Sequence, residues 1–248
     1  MEEPNVNVTG RSDFHVFLKY LSYLVLLVVG VYLTLHVVVS VGSYFISYQT
    51  IDTIMSHSPF GRRFVTDKPS GEVAEQLKKI EAWKDTYFEE QGFSGKGFSI
   101  EFKDISDINA FICPSKQIVF TKGTLEEIQD DEALFFVLAH EIGHYKNKDT
   151  FRSIVKAVMV SLFLGFIEDE HAGEGAYGLL ALSYSRSQEF DADCFAALKT
   201  QQVYGSTDGG KRFFEYVAQK QSSPQWSYYF KTHPAFTKRI ANLKKCVK

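Results

Sequence analysis

Two histidines and a glutamate in the segment His140-Glu141-Ile142-Gly143-His144 have the residue types and the spacing of a metal-binding helix. Positions i and i+4 of a helix lie one turn apart on one face, so both imidazoles can reach one zinc ion. Glu141 lies beside the first histidine, where its carboxylate can take a proton from an attacking water and pass it to a leaving amine. The alternative is a surface helix without metal. The apolar run 133–139 directly before the motif disfavours it, because burying these polar groups unpaired is costly.

A catalytic zinc needs a third protein ligand and keeps one position open. Any downstream His, Asp or Glu is a candidate, and Glu189 is the best one. It lies on a predicted helix, 180–200, after the intervening hairpin has had room to turn the chain back. Asp193 lies one turn later on the same face, where it can accept a hydrogen bond from a ligating imidazole. The alternative is an exposed helix face on which both acids pair with Arg186.

The elements around the motif predict an α+β fold that is mainly helical. Asp130 or Asp131 begins the motif helix, and acidic residues favour its positive N-terminal end. Three short segments either alternate apolar and polar residues or are rich in residues that favour strands: 98–102, 109–113 and 117–121. They predict a small antiparallel sheet. Apolar residues at three- and four-residue steps predict helices over 72–90 and 151–167, and a terminal helix is expected to begin near Pro234.

A long run without charge precedes this domain. No Asp, Glu, Lys or Arg occurs between Lys19 and Asp52, whereas a bilayer core requires about 20 apolar residues. The run is too long for a cleaved signal peptide, so it predicts one transmembrane helix. We expect a tail at 1–20, an anchor at 21–51, a linker at 52–71 and the catalytic domain at 72–248. The charge-free stretches 157–167 and 175–185 are too short to span. They predict a core-packed hairpin, with a hairpin in the membrane interface as the alternative.

Composition argues against several classes of protein. The chain has 248 residues, of which 45% are hydrophobic and 23% charged, and its net charge of −3 disfavours a nucleic-acid binder. Three scattered cysteines argue against a disulfide scaffold and a cysteine-built zinc ribbon. Unpaired cysteines, together with the basic residues that flank the apolar run, favour an integral membrane protein whose catalytic domain is cytoplasmic.

Four features together resemble the HtpX and CAAX-prenyl-protease type of zinc metallopeptidase, a gluzincin group. They are Asn109-Ala110-Phe111, the HEIGH helix, the segment Arg186–Asp193 and Thr232-His233-Pro234 followed by Arg239. The resemblance implies that Glu189 is the third zinc ligand and that Asp193 orients a ligating histidine. It also implies that an extended substrate lies along the strand at Asn109, Ala110 and Phe111, and that His233 stabilises the oxyanion with support from Arg239.

The chain departs from polytopic relatives because the insert between His144 and Glu189 is too short to span a membrane. This disfavours an intramembrane chamber. We therefore expect a membrane-anchored zinc endopeptidase with a single zinc ion, which cleaves polypeptides such as misfolded membrane proteins and contacts lipid but no nucleic acid. The alternatives are a zinc-stabilised binding or chaperone-like module that does not cut, a processing enzyme for prenylated peptides, and a latent zymogen.

Overall fold

The computed structural model describes residues 13–58, 61, 63, 66–90, 93–164, 184–220, 223–226, 229, 232–233 and 239–247. The chain divides into two compact units, one ending at Phe45 and one beginning at Ile46. The helices are α1 (Asp13–Phe45), α2 (Tyr48–Ser56), α3 (Gly71–Tyr87), α4 (Lys122–Glu127), α5 (Asp131–Lys146), α6 (Asp149–Leu164), α7 (Arg186–Tyr204), α8 (Asp208–Gln219) and α9 (Arg239–Cys246). The strands are β1 (Glu89–Glu90), β2 (Phe93–Ser94), β3 (Ser99–Lys103), β4 (Ala110–Ile112) and β5 (Gln117–Thr121).

The first unit contains one helix that is long and apolar enough to cross a membrane. Its apolar part covers Phe14–Phe45, 32 residues, and contains an 18-residue stretch with a mean hydropathy of 2.6 and no buried residue. The helix bounds differ from the expected tail, anchor and linker. The described part of this helix covers Asp13–Phe45. A separate helix, α2, follows, and its N-cap is Ser47, whose hydroxyl accepts the Thr50 N–H at 3.1 Å. Helix α2 contains residues that were expected in the anchor and in the linker.

The three-stranded sheet is mixed, so the antiparallel prediction was wrong for one pair. Its strand order is β3-β5-β4; β4 pairs antiparallel with β5, but β3 pairs parallel with β5. After β3 the chain crosses to the far side of the sheet over residues 104–109, so the later hairpin inserts β5 in the middle. Strand β4 is therefore at an edge and packs against α5.

Helix α5 is the central element of the second unit. Asp130 is its N-cap and accepts the Ala133 N–H at 3.0 Å, which confirms the predicted start. Every residue from Ala133 to Tyr145 is buried, and α7 packs along its length. Gly143 permits this approach, since an added Cβ would lie 3.2 Å from the Ala192 Cα. Close packing of α5 on α7 brings the motif histidines to the first turns of α7.

A disulfide joins Cys194 on α7 to Cys246 on α9, with a Cα–Cα distance of 5.0 Å. The prediction of three unpaired cysteines was therefore wrong. The two residues are separated by 52 positions, and only the packing of α9 on α7 brings them together. Cys113 is a free, buried thiol directly after β4.

The predicted helix over 151–167 corresponds to α6, and the helix over 180–200 corresponds to α7. Much of the hairpin predicted between them falls within residues 165–183, outside the described residues, as does Pro234.

Candidate metal centre

Three side chains meet at the α5–α7 contact with the spacing of ligands around one ion. The Nε2 atoms of His140 and His144 are 3.1 Å apart, and Glu189 oxygens lie 3.4 Å from His144 Nε2 and 3.7 Å from His140 Nε2. Tetrahedral zinc with bonds of about 2.0–2.1 Å requires ligand atoms about 3.3 Å apart. All three side chains are buried. The structure thus brings together the two motif histidines and the carboxylate predicted as third ligand.

His233 joins the same cluster from the C-terminal part of the chain. Its Nδ1 atom lies 3.1 Å from Glu189 Oε1 and 3.4 Å from His140 Nε2. The four potential ligand atoms of His140, His144, Glu189 and His233 all lie within 4.8 Å of one another. The Nε2 atom of His233 points to Glu141, 3.7 Å from Oε1. His233 therefore lies between the ligand cluster and the predicted base.

A carboxylate fixes the orientation of each motif histidine. Nδ1 of His140 lies 3.0 Å from Asp193 Oδ1, and Nδ1 of His144 lies 3.0 Å from Asp149 Oδ2. Because ionised carboxylates only accept, both imidazoles carry a proton on Nδ1, so that in the neutral ring the Nε2 lone pair faces the centre of the cluster.

Arg239 compensates the buried carboxylates. It donates Nε–H to Asp193 at 2.8 Å and Nη2–H at 2.6 Å, a bidentate pair. Its Nη1 lies 2.6 Å from Glu189 Oε2, at ion-pair distance but without hydrogen-bond geometry. Arg239 is itself only 3% exposed. It contacts the ligand carboxylate and the carboxylate that orients His140.

The two histidines have opposite pKa shifts. Burial lowers the pKa of His140 to about 4, although Asp193 opposes the shift. Burial would also lower the pKa of His144, but its hydrogen bonds to Asp149 and Glu189 outweigh that effect and raise the pKa to about 10. The His144 ring is therefore stabilised in its positively charged form, whereas the His140 ring is not. When no metal is bound, a proton supplies that charge.

The two glutamates also differ. Burial raises the pKa of Glu141, which makes its carboxylate a stronger proton acceptor. Burial would raise the pKa of Glu189 as well, but the positive charge of Arg239 outweighs it and holds the pKa well below its ordinary value. Glu189 is thus ionised, as a metal ligand must be, while Glu141 is suited to moving protons.

A further observation shows that these side chains suit a zinc ion. Glu141 Oε2 and His233 Nε2 are buried at the cluster without a hydrogen-bond partner among the described residues, and Glu189 Oε2 has only its ion pair with Arg239. Buried polar atoms without partners are costly, and two imidazoles with one carboxylate are ligands that zinc accepts. His140, His144 and Glu189 would hold the ion.

The predicted substrate segment lies beside α5 at the edge of the sheet. Ala110 and Phe111 belong to edge strand β4, and Asn109 precedes it. The Asn109 side chain is buried, and neither its nitrogen nor its oxygen has a hydrogen-bond partner within the described part of the chain. Within the described part of the chain, β5 is the only strand that pairs with β4, and an additional strand would pair at its other edge.

Two contacts to His144 were not predicted from the sequence. Asp149 accepts from its ring, and Tyr184 stacks on it with centroids 3.7 Å apart and planes 17° apart. An acid five positions after the second histidine was an available signal for Asp149. Nothing in the sequence pattern pointed to Tyr184, whose N–H donates to the Thr232 carbonyl at 3.2 Å and whose hydroxyl lies 3.2 Å from that of Thr150.

Comparisons with known proteins agree with this geometry. Residues 74–247 match peptidase family M48, whose members are metallopeptidases that generally use zinc. The chain is 28% identical over 148 residues to "Mitochondrial metalloendopeptidase OMA1" of Saccharomyces cerevisiae, which is 55% of this chain and 43% of that protein. The chain thus spans less than half the length of this relative. The comparisons do not distinguish the HtpX and CAAX-prenyl-protease types within the family, so that narrower prediction stays a prediction. With most of its second unit matched and with a His/Glu cluster at its centre, the chain belongs to peptidase family M48.

Proposed function

We propose that this chain is a membrane-anchored zinc endopeptidase with Glu141 as its general base. The observation that carries the proposal is the 3.1–3.7 Å spacing among His140, His144 and Glu189, with Glu141 beside them. Zinc, when bound, polarises the scissile carbonyl and lowers the pKa of water. The resemblance to the HtpX and CAAX-prenyl-protease types belongs to this proposal.

Each step of peptide hydrolysis has a residue of this chain suited to it. Glu141 takes the proton of the attacking water and delivers it to the leaving amine, a role that its burial and raised pKa favour. His233 would stabilise the negative charge that develops on the carbonyl oxygen as an imidazolium, because its Nδ1–H faces the Glu189 carboxylate and its Nε2 needs a second proton in order to donate. Asp193 and Arg239 position His140 and Glu189. The backbone of β4, with Asn109, Ala110 and Phe111, binds the extended substrate.

The proposed substrates are unfolded or damaged polypeptides associated with a membrane. Support comes from α1, which is long and apolar enough to span, and from β4 at the edge of the sheet, since an edge strand can pair with the backbone of an extended chain. The flanking basic residues still favour a cytoplasmic second unit, whereas the Cys194–Cys246 disulfide favours an oxidising compartment. Topology reporters fused at each end of the full chain decide between the two sides.

The test is cleavage of an unfolded protein such as casein by the full chain in detergent. We expect cleavage that a chelator abolishes and zinc restores, and that Glu141→Gln abolishes while its zinc content stays unchanged. Normal cleavage by Glu141→Gln would reject Glu141 as the base. Absence of cleavage by the zinc-loaded wild-type chain would reject the peptidase.

A second function is favoured by the nearness of His233 Nδ1 to the other three ligand atoms. If His233 completes a closed four-ligand site, no position is open for water, and the chain is a zinc-stabilised module that binds substrates without cutting. His233→Ala distinguishes the two. If the chain is a peptidase, the variant keeps its zinc and loses activity. If the site is closed, the wild-type chain does not cleave, and the variant binds zinc more weakly.

A further inference from the structure

Helix α2 lies outside the residues that match the peptidase family, yet it is a fixed part of the second unit. Ile51 and Met55 on its inner face are 5% and 4% exposed and pack against Phe151 and Ile154 of α6. The opposite face is exposed, as at Gln49. An amphipathic helix buried on one side is held by packing and does not move freely as a linker.

Asp52 on this helix contacts both sides of the candidate active site. Its Oδ1 accepts the hydroxyl proton of Tyr145 at 2.5 Å, and its Oδ2 lies 2.5 Å from the Lys116 ammonium. Tyr145 directly follows the metal-binding His144 on α5. Lys116 is in the turn that joins edge strand β4 to β5, where its N–H donates to the Cys113 carbonyl at 3.0 Å. A single carboxylate therefore connects the metal-binding helix to the end of the substrate strand.

The lysines of two tight turns both reach α2 or the residues next to it. Lys116 and Lys148 have φ values of 62° and 60°, in the left-handed region that non-glycine residues rarely adopt. Lys148, in the turn after α5, donates to the Ile46 carbonyl at 2.6 Å and lies 5.3 Å from the Tyr48 ring centroid. These contacts stabilise the two turns in a conformation that is otherwise unfavourable.

Tyr48 adds a second connection to the metal-binding helix. Its ring stacks on Tyr145 with centroids 5.9 Å apart and planes 16° apart, and its hydroxyl donates to the Lys146 carbonyl at 2.7 Å. Tyr145 is thus held by α2 at both its ring and its hydroxyl. A helix from outside the matched family region therefore holds the last turn of α5, directly after His144.

We propose that Asp52 is a positioning residue for peptide hydrolysis, which fixes the distance between α5 and β4 by holding Tyr145 and Lys116 together. This inference rests on the proposed peptidase function. A substrate bound along β4 must present its carbonyl at the metal ligands, and a shift of about 1 Å in such an alignment costs about a hundredfold in rate. Asp52 touches neither substrate nor metal ligands, so its effect is on alignment alone.

The experiment compares Asp52→Ala, Asp52→Asn, Lys116→Ala and the double variant Asp52→Ala/Lys116→Ala in the full zinc-loaded chain. Gln49→Ala, on the exposed face of α2, is the matched control. We expect Asp52→Ala to lower kcat about tenfold with unchanged zinc content. Asp52→Asn can still accept the hydroxyl proton of Tyr145, so its kcat should fall less than that of Asp52→Ala. The double variant should be no slower than Asp52→Ala, because both residues act through one contact.

Hydrogen exchange provides a readout independent of activity. In Asp52→Ala, amides of residues 110–121 should exchange faster than in Gln49→Ala, while those of α8 stay unchanged. An active wild-type chain whose Asp52→Ala variant has the kcat and the exchange of Gln49→Ala would overturn this inference and leave the proposed function intact. An equal loss of exchange protection across the whole second unit would also overturn it, since that indicates general destabilisation. A wild-type chain without chelator-sensitive cleavage would reject the proposed function itself.

Discussion

His144 donates its Nδ1 proton to Asp149 across 3.0 Å, with both side chains 0% exposed. Asp149 is in turn fixed by Arg152 at 2.6 Å and by the Gln188 amide at 3.0 Å. The acid therefore connects the metal-binding helix to the first turn of α7, on which Glu189 lies. The orientation of one proposed ligand and the location of the next depend on the same carboxylate.

Asp149→Asn should weaken zinc binding about 10- to 100-fold, because a neutral amide makes the His144 imidazole a poorer donor of its lone pair. Competition with a chromophoric chelator measures the affinity. Asp191→Asn is the control, since Asp191 is an exposed acid on the neighbouring helix. Equal affinities in the two variants would contradict the role of Asp149.

Glu189→Ala should lose zinc, since it removes a buried ligand oxygen and leaves Arg239 with one carboxylate fewer. Elemental analysis of the purified chain after dialysis against buffer without metal gives the stoichiometry. Glu215→Ala on α8, where the glutamate side chain is 50% exposed, serves as the comparison. Retention of a full equivalent of zinc by Glu189→Ala would reject Glu189 as a ligand.

Removal of the Cys194–Cys246 disulfide should lower the free energy of unfolding by about 2–4 kcal/mol, because the bond closes a long loop in the unfolded chain. Denaturant unfolding of Cys194→Ser/Cys246→Ser against the wild type measures the difference. Reductant should destabilise the wild type to the level of the double variant and have no effect on the variant. A wild type insensitive to reductant under conditions that reduce the bond fully would contradict the prediction.

Arg212→Ala should destabilise the second unit at neutral pH by about 1 kcal/mol and have little effect in acid. Hydrogen bonds from Arg212 lower the pKa of Asp130, and Ser206 and Arg212 together lower that of Glu132 against its burial. Both folded pKa values lie below the unfolded ones, so the stabilisation is present above the unfolded pKa and is lost as pH falls through the folded pKa.

Melting temperatures of wild type and Arg212→Ala between about pH 2.5 and pH 7 test this, since the ordinary pKa values of Asp and Glu side chains are about 3.9 and 4.3. The two curves should converge as the pH falls below about 4. Lys211→Ala is the control, because Lys211 is 52% exposed and pairs only weakly with Glu215 at 3.7 Å. A difference between wild type and Arg212→Ala that is constant over the whole pH range would show that the ion pairs are not its cause.

Sequence patterns were most informative where the geometry is local. Asp130 as the start of α5 depends on a side chain that accepts an N–H three residues later, a contact within one turn. The prediction of an antiparallel sheet failed for the opposite reason. Strand spacing gives lengths and turns, but the insertion of β5 between β3 and β4 depends on how residues 104–109 cross the sheet, which strand patterns do not encode.

By itself, the sequence determined that His140, Glu141 and His144 share one buried helix, since helical spacing and the apolar run before them require it. It also determined a long apolar helix that precedes this domain. Family resemblance had predicted His233 and Arg239 at the site, but only the tertiary structure decided that Asp149 orients His144, that His233 Nδ1 lies among the ligand atoms and that Cys194 meets Cys246. Contacts between residues far apart in the chain arise from the packing of whole helices, such as α5 on α7 at Gly143, and no local spacing specifies that packing.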